Sequence, residues 1–208
     1  MDLPTISLHG TPLSGHTHRI SAFLTMLGLP YRFVDSPVAV RQSAAFRALN
    51  PFAQIPVYQE GGLVLADSNA ILVYLAKRHD PEHRWLPEEP VAAARVQRWL
   101  SIAAGEVMYG PGTARLVTLF GRPGDPVRAR EIAARLLAFM DQHLAGRHFL
   151  AAEHATIADL ACYTYVAHAP EGRVPLEPYP AVRAWIARVE ALPRFVPMAR
   201  SEIPEGAP

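Results

Sequence analysis

The sequence predicts an α/β unit followed by an all-helical unit, and a change of hydrophobic period marks the border. Up to residue 79, short apolar runs alternate with helical patterns in the order β-α-β-α-β-β-α. Residues 79–90, rich in proline and charge, are typical of a linker, and beyond them only helical spacing occurs. We therefore expect one domain over 1–79 and a second, all-helical domain over 88–208.

The first three elements are predicted to form a β-α-β unit. Thr5–His9 alternates as a strand, residues 10–15 form a loop, and apolar residues then recur at helical spacing until Gly28 and Pro30 end the helix. Tyr31–Val34 is the second strand. We expect the two strands to be parallel, with a right-handed crossover.

The next segment carries a short helix, a hairpin and a longer helix. A helix is predicted around Ser43–Leu49, and two apolar runs then flank a Gly61-Gly62 turn, which is typical of a hairpin. Pro56 suits the head of the first run, because proline donates no ladder hydrogen bond. A cis Ile55–Pro56 bond would expose the backbone of Ile55 beside a pocket. The longer helix is predicted over Ser68–Arg78.

The remaining sequence predicts amphipathic helices. Thr156-Ile157-Ala158-Asp159 is a variant of the capping box before an apolar run. The stripes that predict the helices are Val96, Trp99, Leu100, Ala103 and Val107; Ile132, Leu136, Phe139, Met140 and Leu144; and Val182, Trp185, Ile186 and Val189.

Composition excludes several classes of function. The net charge is +1 with no basic block, which argues against a nucleic-acid partner. We find neither a secretory signal nor an apolar run of about 18 residues, so no membrane span is expected. The single cysteine, Cys162, excludes an intrachain disulfide and cysteine metal clusters, and we expect it to be buried in a helix.

One serine, Ser68, and one backbone segment suggest a binding site for a peptide-like anion. Ser68 follows an acid at a helix start, where free N–H groups attract anions. The exposed backbone of Ile55 would lie at the same pocket. Ser14 precedes the first helix; from the residues alone it is a helix cap or a hydroxyl that stabilises a thiolate.

Four motifs resemble the cytosolic glutathione S-transferases of the serine type, including the plant phi class and related bacterial proteins. Their order and spacing make the resemblance specific, and it covers essentially the whole chain. The motifs are Gly10–Arg19, Asn50–Val57, Asp67–Ile71 and Thr156–Asp159.

The resemblance implies a thioredoxin-like N-terminal domain and a helical C-terminal domain. It also implies a cytoplasmic detoxification enzyme, a homodimer that uses glutathione as co-substrate and needs no other cofactor and no metal. The Ser14 hydroxyl would donate to the thiolate of glutathione, with Thr11 and His16 as alternatives. Phe52 would insert into the partner subunit, or else pack within its own chain.

The resemblance also assigns the residues that bind glutathione. The backbone of Ile55, preceding Pro56, would pair with the cysteinyl part, and Gln54 would contact the peptide backbone or a carboxylate. Ser68 would bind the γ-glutamyl carboxylate and Asp67 the amino group. Arg41 and Gln42, which replace a His-Lys pair of the family, would bind the glycyl carboxylate or else form a solvated helix face. Ala53 replaces a more usual glycine, which argues against a left-handed backbone there.

The electrophile is expected to meet residues from both halves of the chain. Thr11, Met108, Tyr109 and Arg115 would line its pocket. The alternative for Met108 and Tyr109 is helix core, and for Arg115 it is a bond to nearby carbonyls or carboxylates.

We therefore expect a transferase that conjugates glutathione to a hydrophobic electrophile. There are two alternatives: reduction of peroxides or disulfides by glutathione in the same site, and a non-catalytic module for glutathione binding or for interaction with a partner. Residues 10–19 contain no cysteine, which argues against a mixed disulfide with the protein.

Overall fold

The computed structural model describes residues 5–206, which cluster into two units. The α/β unit comprises the described residues up to Glu82 together with Pro193–Met198. The helical unit comprises His83–Leu192 and the described residues from Ala199 onward.

The elements of the α/β unit are β1 (Ile6–Gly10), α1 (Gly15–Leu27), β2 (Tyr31–Asp35), α2 (Val38–Arg41), α3 (Ala44–Leu49), β3 (Val57–Glu60), β4 (Leu63–Ala66) and α4 (Ser68–His79). The predicted order is confirmed, with one additional short helix, α2. The four strands form a sheet in the order β2-β1-β3-β4. Strands β1 and β2 are parallel, while β3 is antiparallel to both β1 and β4.

Local sequence sets the ends of the two long helices of this unit. Helix α1 begins after Ser14, whose side chain accepts from Thr17 N, and ends at Gly28 in the left-handed conformation. Helix α4 begins after Asp67, whose carboxylate accepts from Ala70 N. Apolar side chains of the sheet and of these helices form the buried core, including Leu8, Phe23, Tyr58, Ile71 and Leu75.

The loop before β3 confirms one expectation and corrects another. The Ile55–Pro56 bond is cis. Ala53 has a φ of 53°, so the expectation that alanine would avoid the left-handed region was wrong. Hydrogen bonds hold the chain on both sides of this residue: Ala53 N–H donates to the carbonyl of Asn50 at 2.9 Å, and Asn50 Nδ2 donates to the carbonyl of Gln54 at 2.9 Å.

The helical unit follows the predicted stripes. Val96, Trp99, Leu136, Val182 and Trp185 are all buried. Its elements are α5 (Pro90–Ile102), a π-helical segment (Ala103–Gly112), α6 (Thr113–Phe120), α7 (Pro126–Leu144), α8 (Ile157–Ala167), a 3₁₀ turn (Ala169–Gly172) and α9 (Pro180–Glu190).

The π-helical segment accommodates a proline inside a continuous helix. Pro111 has no N–H, so it cannot close an α-helical bond to Val107. The helical turn is wider there. Both the N–H and the hydroxyl of Thr113 donate to the carbonyl of Met108, five residues earlier. Wider turns of this kind are frequent at functional sites.

The predicted capping box at the start of α8 is confirmed. Asp159 accepts from Thr156 N at 2.9 Å, and Thr156 Oγ1 accepts from Ala158 N. The same carboxylate accepts from Leu150 N and from Trp185 Nε1. Cys162 is fully buried in α8, as expected. No helix among residues 5–206 is long and apolar enough to cross a membrane.

Candidate functional site

The sheet register brings three segments to one edge. Val57 pairs with His9 of β1 on one side and with Ala66 of β4 on the other. The residues that follow His9 and Ala66 therefore meet those that precede Val57. This edge collects the loop to Ser14, the Gln54–Pro56 segment and the start of α4.

Ser14 is a helix cap with a hydroxyl hydrogen to donate. Its Oγ accepts from Thr17 N at 3.2 Å, and its own N–H donates to the carbonyl of Thr11 at 3.1 Å. Within the part of the chain that the structure describes, no group accepts from the Ser14 hydroxyl. The half-buried hydroxyl lies at the positive end of α1, so it can stabilise an anion there. The Thr11 hydroxyl is also half-buried and unengaged by described residues, so it stays an alternative.

The backbone of Ile55 is available to an extended ligand. Neither its N–H nor its C=O is hydrogen-bonded to any residue between 5 and 206. The residue is half-buried, and the side chain of Gln54 beside it is exposed. A peptide can add to such a segment as an extra strand.

Asn50 holds this segment in place, although it was not among the site residues predicted from the sequence. Its side chain is buried; Nδ2 donates to the carbonyl of Gln54 at 2.9 Å, and Oδ1 accepts from Phe52 N at 3.1 Å. Asparagine is suited to this task because one amide both donates and accepts. The available sequence signal was an Asn-Pro pair, which is typical of a turn.

The start of α4 presents groups for a carboxylate and an amine. The N–H of Ser68, in the first turn of α4, bonds to no other described residue. Asp67 is exposed and has a φ of 73°, a strained conformation for a residue other than glycine. One of its oxygens caps α4 at 2.9 Å, which leaves the second for a ligand ammonium group.

A buried arginine supports this helix start. Arg19 is 1% exposed, and its Nη1 donates to Ser68 Oγ at 3.2 Å and to Asn69 Oδ1 at 2.9 Å. Its charge adds to the positive end of α4, which favours a bound anion. Arg19 was not among the residues predicted from the sequence to bind the ligand; its one signal was its position four residues before Phe23, on the apolar face of α1.

His16 contacts Ser68 at the start of α4. Its Nδ1 is 3.2 Å from Ser68 Oγ. Burial, followed by the charge of Arg19, lowers the pKa of His16 to about 3. The imidazole is therefore neutral near pH 7, which argues against a cationic role beside the thiolate.

The remaining glutathione candidates lie in the crossover between β2 and β3. Arg41 is half-buried in the last turn of α2, and Gln42, which follows it, is exposed. Neither side chain takes part in the hydrogen bonds given above for Ser14, Asn50 and Ser68.

The three electrophile candidates of the helical unit differ in exposure. Tyr109, on the π-helical segment, is 64% exposed, and Met108 is half-buried. Arg115 is 0% exposed, and its Nε donates to Glu171 Oε2. The structure thus supports the alternative for Arg115, a bond to a nearby carboxylate, and it gives this side chain no exposed surface.

Phe52 projects from the Asn50 loop and is 83% exposed. In the helical unit, a groove of about 420 Å³ has an apolar floor that includes Ile102, Ile132 and Phe139. Its other lining residues are Arg98, Glu106, Arg135 and Leu136.

Two family models match the chain. Residues 8–83 match the glutathione S-transferase N-terminal domain, and residues 118–193 match the glutathione S-transferase C-terminal domain. The first match contains all the candidates at the sheet edge.

Individual relatives agree with the family models. The chain is 32% identical to glutathione S-transferase 3 of Zea mays over 206 residues, which cover 91% of each protein. A crystal structure of a glutathione S-transferase from Pseudomonas fluorescens Pf-5 superposes with a TM-score of 0.87 at 33% identity, covering 93% of this chain and 98% of that one. A second family member from that organism, solved with two glutathione molecules bound, superposes with a TM-score of 0.79 at 25% identity, covering 92% and 90%.

Proposed function

Because the chain belongs to the glutathione S-transferase family, we propose that it conjugates glutathione to a hydrophobic electrophile, with Ser14 stabilising the reacting thiolate. The observation that carries the proposal is the Ser14 hydroxyl, whose hydrogen no described residue accepts, at the sheet edge that also presents Ile55 and Ser68. The thiol proton leaves to water, the hydroxyl donates to sulfur, and the sulfur forms a bond to the electrophilic carbon as its leaving group departs. A lowered thiol pKa and proximity are sufficient for this reaction.

Each part of glutathione is assigned its own binding groups. The unpaired backbone of Ile55, with Pro56 buried behind it, takes the cysteinyl part, and exposed Gln54 contacts the ligand backbone or a carboxylate. Ser68 takes the γ-glutamyl carboxylate, while the second oxygen of Asp67 takes the amino group. We assign the glycyl carboxylate to Arg41 and Gln42, which supply a cation and an amide.

The second substrate is proposed to contact Thr11, Met108 and Tyr109. The exposure of Tyr109 supports this, and the buried ion pair of Arg115 removes that residue from the set. Replacing Tyr109 with alanine should raise the KM of the electrophile and leave the KM of glutathione unchanged. Val127→Ala, which trims another exposed apolar side chain of the helical unit, is the matched control.

We also propose that the chain forms a homodimer with Phe52 at the interface. An 83% exposed phenylalanine is costly in water, and the apolar floor of the helical groove on a second copy offers it a site of burial. Phe52→Ala should shift sedimentation from dimer to monomer, whereas Val91→Ala, at a side chain 57% exposed, should not. A dimer unaffected by Phe52→Ala would remove this residue from the interface.

Two measurements test the function itself. Calorimetric titration should show glutathione binding, and turnover should be faster with a chlorinated dinitroaromatic than with a small disulfide. No binding at millimolar glutathione would favour an interaction module, and the reverse order of turnover would favour a reductase. Either outcome alone would overturn the proposal.

A further inference from the structure

We propose that the α/β unit has a second ligand site, for a small zwitterion whose ammonium and carboxylate groups lie at opposite ends of a short apolar chain. The site is a cavity of about 360 Å³ at the end of the sheet away from Val57, and all its lining residues belong to the α/β unit. Pockets that hold small molecules commonly have a volume of this order. The lining of this sheet-end cavity includes Ile6, Tyr31, Arg32 and Glu60.

The register of the sheet separates the charged groups of the cavity. Ile6 of β1 pairs with Tyr31 of β2 on one side and with Glu60 of β3 on the other. Because neighbouring strands lie about 4.8 Å apart, the backbones of Tyr31 and Glu60 are separated by roughly 10 Å. Arg32 follows Tyr31 on β2, which is an edge strand, and its side chain is exposed. A cation and an anion thus flank the apolar side chain of Ile6.

The Glu60 carboxylate is held in place with one oxygen open. Its Oε2 accepts from Tyr58 Oη at 2.9 Å and from Tyr74 Oη at 2.7 Å. Its Oε1 accepts from no residue that the structure describes, and it is not buried. Burial raises the pKa of Glu60, but the hydrogen bonds from Tyr74 and Tyr58 and nearby positive charge outweigh burial and lower this pKa below its ordinary value. The carboxylate is therefore ionised near pH 7 and suits an ammonium group.

The surroundings of Glu60 leave its charge available to a ligand. His79 also lines the cavity, and burial, opposed by the charge of Glu60, lowers the pKa of its imidazole, which is therefore neutral near pH 7. Arg78 also acts on Glu60, but its side chain is exposed, so water and salt screen its charge. Helix α4 ends at His79, and the carbonyl end of a helix carries partial negative charge, which favours a cation.

Arg32 supplies the opposite charge. Its Nη2 donates to Ser7 Oγ at 3.3 Å, and its other N–H groups bond to no residue between 5 and 206. Within the same range, Arg32 and Glu60 form no ion pair with each other. A guanidinium with unused donors is suited to a carboxylate. The cavity should therefore prefer a ligand that carries both charges to one that carries either alone.

The test compares the Kd values of three probes of the same chain length. They are 6-aminohexanoate, hexanoate, which lacks the ammonium group, and hexylamine, which lacks the carboxylate. In a calorimetric titration, the unchanged protein should bind 6-aminohexanoate about tenfold more tightly than either other probe, the gain expected for one hydrogen bond to a charged group. Equal affinity for the three probes, or no binding of 6-aminohexanoate at millimolar concentration, would overturn the inference.

Two variants assign the charges separately. Glu60→Gln keeps an oxygen for the two tyrosines but removes the charge, so it should reduce the preference over hexanoate about tenfold and leave the preference over hexylamine. Arg32→Gln should have the converse effect. Lys77→Gln, which removes an exposed cation outside the cavity lining, is the control and should leave both preferences unchanged. A merely structural role would weaken all three probes together, and unchanged preferences in Glu60→Gln and Arg32→Gln would refute the site.

Two further measurements locate the bound probe. Nuclear Overhauser effects should join the methylene protons of 6-aminohexanoate to the methyl groups of Ile6 and Leu29, which line the cavity. Saturating glutathione should leave the Kd of the probe unchanged, because the proposed glutathione site lies at the other end of the sheet. Competition with glutathione, or Overhauser effects only to residues outside the cavity, would place the probe elsewhere and overturn the inference. The site does not depend on the proposed transferase activity, so either can fail without the other.

Discussion

Asn50 donates a hydrogen bond from its buried side-chain amide to the carbonyl of Gln54 at 2.9 Å. With the bond from Phe52 N to the same amide, this contact closes the loop that leads into the cis Ile55–Pro56 bond. One side chain thus fixes both the exposed phenylalanine and the proposed glutathione-binding backbone.

Replacing Asn50 should therefore impair both folding and glutathione binding. Asn50→Asp keeps an acceptor for Phe52 N but sets a carboxylate oxygen against the Gln54 carbonyl. We expect the free energy of unfolding to fall by about 1–3 kcal/mol and the KM of glutathione to rise about tenfold. Ser43→Ala is the control, since it removes the cap of α3 and the hydrogen bond from the Ser43 hydroxyl to the carbonyl of Val40, neither of which involves Gln54. An equal rise in KM for Ser43→Ala would assign the effect to general destabilisation.

Gly10 allows β1 to approach α1 closely, just before Ser14. A Cβ at this position would lie 2.1 Å from Cγ2 and 2.4 Å from Oγ1 of the buried Thr17. Gly10→Ala should therefore lower the free energy of unfolding by about 3 kcal/mol or more. Gly62→Ala, where a Cβ meets nothing within 4 Å, should change it by less than about 0.5 kcal/mol. Denaturant titration measures both, and similar values for the two variants would contradict the close approach.

Acid should destabilise the fold through His16. Its pKa is about 3 in the folded chain and near 6.5 when unfolded, so below pH 6.5 the unfolded chain binds more protons. The stability contributed by the neutral ring is present above pH 6.5 and is lost as the pH falls toward 3. One such group gives a slope of at most about 1.4 kcal/mol per pH unit.

The control for this prediction is His16→Asn, which cannot take up the proton. Other groups with shifted pKa values, such as Glu60 and Glu171, are common to both proteins, so the difference in slope isolates His16. Identical slopes between pH 6.5 and 3 would show that the ring is not held neutral.

Features encoded by neighbouring residues could be predicted from the sequence. Pro56 marked the head of a strand, and Thr156 with Asp159 marked the start of α8, because each pattern acts through backbone groups within a few residues. The stripes of apolar residues gave the helices for the same reason. Ser14 and Ser68 were found as residues at helix starts, where side chains have recognisable roles.

Features that join distant residues could not be predicted. Arg19 and Ser68 are 49 positions apart, and Arg115 and Glu171 are 56 apart, so no local period connects them. The left-handed conformation of Ala53 depends on the bonds of Asn50, which the loop sequence does not reveal. Helix α2 has only four residues, too few for a periodic pattern.

The central claim is that the Ser14 hydroxyl stabilises the thiolate of bound glutathione. The most direct measurement is the ultraviolet absorbance of that thiolate, titrated with pH in the unchanged protein, in Ser14→Ala and in Thr11→Val. We predict that the bound thiol has a lower pKa than free glutathione, that Ser14→Ala raises it by about 1–2 units, and that Thr11→Val leaves it unchanged. The same thiol pKa in Ser14→Ala as in the unchanged protein would contradict the account, and a rise only in Thr11→Val would transfer the role to Thr11.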